Sequence, residues 1–439
     1  MRHTGTGWPS GAKPLLRVLA GLLLVSVLAH PAFAADPERL LLDAGQRICQ
    51  GGVGVPPTGD AALSDEDRFR LRQAVGWSRT WQVGARASVK VTGIRRGPES
   101  PALFFLDYYE EGRPLVRAVV SSACKVLGGR RVLYGADGGS RPSAIERLDP
   151  ALQAQGAPEP LNPPVPPGPA GGACVRVAIL DNGVNYLRPD ILARLARDGE
   201  GRLVGHDFWD GDDRPFDYGI PPGSKDPQVS AFSPRRHGSM VAGIFLKDAP
   251  ASACIVPYRY FPQDPDRRIG SIVARASADG VRIVSISSGR SRPWPDFEAA
   301  IRRHPDILFV VAAGNEGEDL DDRPSYPAAY REANVLVVAA SDAAGALWRG
   351  SNRGTGTVDL AVHATELAGN DFTGKPMPLT GTSFAAPRVS AVASAILARE
   401  PGLGAADLRK RILALAAATG VAADGIPVLT DGAIAAAVR

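Results

Sequence analysis

Beyond residue 174 the chain runs through a series of short, nearly uninterrupted apolar stretches, separated by segments with helical spacing. Arg176–Leu180, Arg202–Phe208, Ala253–Tyr258, Arg282–Ser287, Ile307–Ala312 and Val335–Ala340 read as strands. Ser239–Leu246, Gly270–Asp279, Phe297–His304, Ser383–Arg399 and Ala405–Ala417 read as helices. A strand with one wet face alternates apolar and polar residues, whereas a strand covered on both faces has no polar side to show. Runs of this kind, alternating with helices, predict an α/β domain built on a doubly wound, mostly parallel sheet with helices on both faces. In such sheets functional groups collect at the carboxyl ends of strands and at the helix starts that follow.

This domain, expected to span 174–439, is preceded by a different kind of sequence. Residues 156–173 are mostly proline, glycine and alanine. Proline fixes φ and removes a backbone donor, so the stretch is expected to be a semi-rigid linker. Residues 35–155 before it are expected to form a small α+β domain. Ser64–Val75 reads as a short polar helix, and Ala87–Ile94, Ala102–Tyr109, Leu115–Val120 and Val126–Tyr134 read as strands. No catalytic constellation is visible there.

At the amino terminus Arg2, Lys13 and Arg17 precede an apolar run from Val18 to Ala29, followed by Ala32-Phe33-Ala34. That is the pattern of a secretory signal peptide over residues 1–34, with the apolar run too short to span a bilayer. A secreted or periplasmic location follows as an expectation, and it makes disulfides possible. Cys49, Cys124, Cys174 and Cys254 allow three connectivities. The pairing favoured is Cys49–Cys124 with Cys174–Cys254, because each bridge then stays within one domain. No C-x-x-C spacing occurs, which argues against zinc or redox chemistry. The formal charge of +4 is small for 439 residues and gives no sign of a nucleic-acid partner.

Four segments place a reactive side chain beside glycine. Asp181-Asn-Gly183 closes the first strand, Arg236-His237-Gly238-Ser-Met-Val-Ala-Gly opens a helix, and Gly381-Thr-Ser383-Phe-Ala-Ala-Pro387 opens another. Val310-Val-Ala-Ala-Gly314-Asn315-Glu-Gly317 ends another strand, at Asn315. Singly, each has a plain structural explanation: an Asx turn for Asp181, a helix cap for Ser383, a left-handed turn for Asn315. Together, in the order Asp, His, Ser, they resemble the subtilase family of serine endopeptidases over roughly residues 174–439.

The resemblance implies hydrolysis of peptide bonds, with protein or peptide substrates and no metal in the chemistry. Ser383 is then the nucleophile, His237 the general base, Asp181 the residue that orients His237, and Asn315 an oxyanion donor. Departures from the family pattern are Asn182, Ser239, Phe384 and Arg388, none of which removes a catalytic group. His206, His304 and His363 lack such a setting and read as structural. Ser285-Ile-Ser287-Ser288-Gly289 resembles the family's substrate-binding strand, and Glu316 would stand at the rim of the specificity pocket. Asp207, Asp210, Asp212, Asp213 and Asp217 form an acidic loop in which calcium is conceivable, a solvated loop being the blander reading. Residues 35–155 occupy the place of a propeptide that inhibits or chaperones the enzyme, and a lasting accessory domain is the rival. Two other readings stand against a working protease: a catalytically silent binding module of the same fold, and a different hydrolase, which the missing Gly-x-Ser-x-Gly elbow disfavours.

Overall fold

The structure, a computed structural model, describes residues 36–51, 54–71, 74–95, 103–135, 141–219, 229–260 and 267–439. The predicted signal peptide therefore lies outside the described residues. Among the described residues no helix is long and apolar enough to cross a membrane.

The carboxy-terminal domain is built on a nine-stranded sheet in the order His206–Asp207, Ala253–Arg259, Val175–Asp181, Ile283–Ile286, Leu308–Ala312, Val335–Ser341, Leu360–His363, Ile426–Leu429 and Ala422–Ala423. Every pairing is parallel except the last, between Ala422–Ala423 and Ile426–Leu429. The unbroken apolar runs have the cause inferred from sequence: Val177 and Ile179 enter one core while Ala178 and Leu180 enter the other. Each side chain of Val or Ile size so enclosed contributes about 1.5–3 kcal/mol relative to exposure. One face carries the helices Gly238–Asp248, Thr382–Arg399 and Ala405–Ala418, and the other carries Arg267–Ala278 and Pro295–Arg303. Thr382–Arg399 is buried on all sides from Thr382 to Leu397, as a helix without a polar stripe must be. Its Ser390 and Ser394 hydroxyls donate back to Ala386 O and Ala391 O.

Two expectations for this domain need adjustment. Of Arg202–Phe208 only His206–Asp207 is strand, at the sheet edge. The linker also makes specific contacts: Tyr186 Oη donates to Pro163 O at 2.5 Å, Arg197 Nη2 to Pro166 O at 2.9 Å, and Gly171 N to Asp198 O at 2.7 Å.

The amino-terminal part is an eight-stranded antiparallel meander in strict chain order from Ala62–Leu71 to Glu159–Pro160, with the helix Pro37–Gly51 on its core. The strands expected near 87–134 are present. The expected helix at Ser64–Val75 is instead a hairpin of Ala62–Leu71 with Ala74–Gln82. Ala62–Leu71 is an edge strand rich in charged residues, so it lacks the alternation that betrays a half-buried strand. Its pairing partner decided its state. Cys174 and Cys254 are bonded, joining the start of one strand to its neighbour. Cys49 and Cys124, expected to pair, are thiols here; burial and the neighbouring Cys124 push the Cys49 thiol up to about 11.

Candidate active site

Asp181, at the carboxyl end of Val175–Asp181, is 6% exposed, and both of its carboxylate oxygens lie 2.9 Å from His237 Nδ1. The backbone N–H of Asn182 donates to the same carboxylate at 2.7 Å. His237 stands immediately before the helix Gly238–Asp248. A Cβ at position 238 would lie 2.0 Å from Gly183 O and 3.2 Å from the Asp181 Cβ, so only glycine lets the two segments meet at this spacing. Gly183 itself sits at φ +90°, against the Pro215 carbonyl.

The helix carrying His237 is held by a residue the sequence did not single out for this role. Asp217, fully buried, accepts from His237 N at 3.1 Å and from Ser239 N at 2.8 Å, serving as an N-terminal cap brought from twenty positions upstream. Burial raises its carboxyl above the ordinary value, opposed by the nearby Arg236 cation and the hydrogen bonds from Ser239. Nothing local marks Asp217 as different from its acidic neighbours, because the relationship exists only after the loop folds back. Ser239 Oγ in turn accepts from Asn185 N at 2.7 Å.

Ser383 opens the helix Thr382–Arg399 after Gly381 at φ 141°. Pro387, one turn on, has no N–H to give to the Ser383 carbonyl. That carbonyl is taken instead by Ser287 Oγ at 2.9 Å, while Ser383 Oγ lies 3.4 Å from Ser287 O. The proline of the motif thus frees a backbone acceptor that ties the turn carrying Ser383 to the strand end at Ser287. Ser383 Oγ is not hydrogen-bonded to His237 in this state, and such contacts commonly tighten only when substrate binds. The Phe384 ring lies 6.1 Å from the imidazole, centroid to centroid.

Asn315 faces Ser383 across the same cleft. Its Oδ1 accepts from Thr382 N at 2.9 Å and Thr382 Oγ1 at 3.0 Å, while Thr382 Oγ1 accepts from Gly314 N at 3.1 Å. With the oxygen so engaged, the amide nitrogen is the end left for a ligand. Asn352, 2% exposed and absent from the sequence reading, braces this turn: its Nδ2 donates to Ala313 O at 2.9 Å, and its Oδ1 accepts from Glu316 N and Glu318 N. Glu316 Oε2 accepts from Asn315 N and Asn352 Nδ2, so this carboxylate shapes the turn as well as facing the cavity. A cavity of about 430 Å³ opens here, with Ser287, Ser288, Gly289, Asn315, Glu316 and Ser383 among its walls.

The acidic loop is engaged elsewhere. Arg259, 2% exposed, reaches Asp207 at 2.5 Å and Asp210 at 2.6 Å, and Arg214 reaches Asp212 at 2.9 Å. Asp213 pairs with His206 at 2.8 Å. Arg259 thus supplies the positive charge that Asp207 and Asp210 face. Among the described residues no group of three or more His, Cys, Asp or Glu is arranged to hold a metal. His363 bonds Asp431 and Thr365 O, and His304 caps the helix Pro295–Arg303. Arg388 is buried between Asp248 and Asp431, each at 2.6 Å.

The fold is a parallel α/β sheet with Asp181 at the carboxyl end of an inner strand and His237 and Ser383 at the starts of helices packed on one face. The chain belongs to the subtilase family, whose model matches residues 172–432. It is similar to halolysin of Haloferax mediterranei, 28% identical over 256 residues, which are 55% of this chain and 45% of that one. It is likewise similar to the major intracellular serine protease of Bacillus subtilis, 28% identical over 246 residues, covering 52% and 70% of the two chains. Thermitase of Thermoactinomyces vulgaris is 26% identical over 248 residues, covering 55% and 81%. The chain thus spans less than half the length of halolysin. Among solved structures, a cold adapted subtilisin-like serine proteinase aligns at 20% identity with a TM-score of 0.45, covering 60% of this chain and 91% of that one.

Proposed function

We propose that this protein is an exported serine endopeptidase that cleaves peptide bonds through an acyl-enzyme. The observation that carries the reading is His237, held through Nδ1 by buried Asp181, with its ring 6.1 Å from that of Phe384, the residue after Ser383, which with Asn315 lines the neighbouring cavity. With Nδ1 occupied, Nε2 is the basic end of the ring. It takes the Ser383 proton as Oγ attacks the substrate carbonyl, and Asp181 stabilises the imidazolium that results. The carbonyl oxygen becomes an oxyanion, received by Asn315 Nδ2 and by the Ser383 N–H, which lies in a first helical turn where such groups have no intrahelical acceptor. The tetrahedral adduct collapses as His237 gives its proton to the leaving amine. Water then repeats the sequence against the acyl-serine, with His237 again as base, releasing the acid and restoring Ser383.

Ser287, Ser288 and Gly289 follow the strand Ile283–Ile286 and line the cavity, which supports a role for them in pairing with the substrate backbone. The cavity volume suits a large side chain, and Glu316 in its wall favours a basic one. Export is supported by the signal-like amino terminus and by the disulfide Cys174–Cys254.

The test is labelling with a fluorophosphonate probe, read by intact mass, on wild type and Ser383→Ala, with a peptide panel varied at the residue before the scissile bond. One adduct on wild type and none on the variant is expected, with fastest cleavage after arginine or lysine. A folded wild type that takes no adduct would remove the protease reading and leave a silent binding module of the same fold.

A further inference from the structure

His237 is connected to the amino-terminal sheet by a short, well-held run of chain. Ser230 and Ser233 close a tight turn on each other, with N···O distances of 3.0 and 2.9 Å, which puts Phe232 at its tip. The Phe232 side chain is completely buried. Groups of the amino-terminal unit bury it. The Arg117 guanidinium lies 4.8 Å from its ring centroid, Tyr109 meets the ring edge-on at 6.3 Å, and Arg130 Nη1 donates to Phe232 O at 2.9 Å. Arg117 is itself fixed by a bidentate pair with Asp107 at 2.6 and 2.7 Å, both residues being at most 3% exposed. Phe105 lies 5.0 Å from the same guanidinium. A buried arginine, paired by a carboxylate and held between two aromatic rings, is a formed socket with a definite shape.

The chain leaving the socket is fastened at nearly every step. Arg235 exchanges backbone bonds with Gly219 at 2.6 and 3.1 Å. Arg236 joins Glu159 of the linker to Asp217 O. The next residue is His237, whose N–H rests on Asp217. Arg141 adds a bond to Asp210 O at 3.2 Å. Every residue lining the cavity beside Ser383, by contrast, comes from positions 287–383. The amino-terminal unit grips the approach to the histidine, and none of its described residues lines this cavity.

We propose that residues 36–155 are a permanent, non-inhibitory part of the working protease, which holds the segment positioning His237 through a Phe232 socket built by Arg117, Asp107, Tyr109 and Arg130. An inhibitory prosegment must occupy the cleft and leave. Among its described residues this unit puts none into the wall of the cavity beside Ser383, and it would expose a buried ion pair and a buried phenylalanine by leaving, a costly separation. Phe232 and its socket are positioning groups, because they act on the reaction through His237.

The activity arm of the test rests on the protease reading, and a second arm does not. In the first, the fluorophosphonate-labelled species from wild type is sized under native conditions and then weighed. Retention of residues 36–155, covalently or as a tightly associated fragment after a cut in the linker, is expected. Labelling confined to species that have lost them would overturn the proposal. In the second, amide exchange is compared between Ser383→Ala and Ser383→Ala/Phe232→Ala, in which self-cleavage is blocked. Exchange at 235–239 is expected to rise about tenfold or more while that of 308–312 holds, with Phe232→Leu restoring most of the protection. Unchanged exchange at 235–239 would overturn the proposal. If Phe232→Ala does not fold, Arg130→Gln is read the same way, since it removes a single grip on the turn. Absence of any probe adduct removes the protease reading alone, and the exchange arm still decides the socket.

Discussion

Replacing Asp217 by asparagine changes one atom of a buried side chain that lies twenty positions in sequence before His237. Its two carboxylate oxygens accept separately from His237 N at 3.1 Å and Ser239 N at 2.8 Å. Asparagine keeps one acceptor and turns an NH₂ toward the other N–H. A hydrogen bond to a charged group is worth about 1.5–3 kcal/mol, and a buried donor left without a partner costs about 1–3 kcal/mol. Against this stands the relief of a carboxylate whose proton affinity burial has raised. The balance is a loss of about 2 kcal/mol in stability, measurable by urea denaturation of the Ser383→Ala chain with and without Asp217→Asn. In the active chain the same change lets the first turn behind His237 shift. A displacement on the order of 1 Å at a catalytic group costs about 10² in rate. The expected signature is a fall in kcat with KM nearly unchanged. Stability within about 0.5 kcal/mol of the parent together with an unaltered kcat would refute the role given to Asp217.

Asn315→Ala is expected to lower kcat by about 10²–10³ with little change in KM and an unaltered circular dichroism spectrum; a loss expressed in KM alone would contradict an oxyanion role. The Asp431 carboxyl is subject to burial, but hydrogen bonds from Arg388 and His363 hold it below its ordinary value of 3.8. Its folded affinity for protons is lowered, so its stabilising contribution is present above that value and disappears as pH falls through the lower folded value. The Tm of Asp431→Asn should therefore lie below that of wild type at neutral pH and converge with it under acid, and a constant gap across the range would refute this. Because Arg259 and Arg214 already neutralise the acidic loop, excess EDTA should move Tm by less than about 1 °C; a larger drop would show that a bound cation stabilises the fold.

Much of the catalytic domain was legible from the chain itself. Strands buried on both faces cannot hide their apolar runs, and helices between them follow the same burial rule, so the α/β class and the positions of Asp181, His237, Asn315 and Ser383 at element ends could be read locally. The glycines were legible for a related reason: Gly183 and Gly238 stand where a Cβ would strike backbone. Pro387 was visible too, though its effect, freeing Ser383 O for Ser287, appears only when two segments nearly a hundred residues apart meet.

What the sequence left open depends on partners. Ala62–Leu71 is charged enough to suit a helix or a wet edge strand, and only its neighbour Ala74–Gln82 decides. The five acidic residues between 207 and 217 look alike in sequence. In the folded chain Asp207 and Asp210 face Arg259, Asp212 faces Arg214, Asp213 faces His206, and Asp217 caps the helix that follows His237. Phe232 reads as a lone aromatic in a polar stretch until the amino-terminal sheet supplies Arg117 and Tyr109 around it. Patterns of burial repeat along the chain and can be read there. The identity of a buried group's partner is fixed by long-range contacts, and only the tertiary structure decides it.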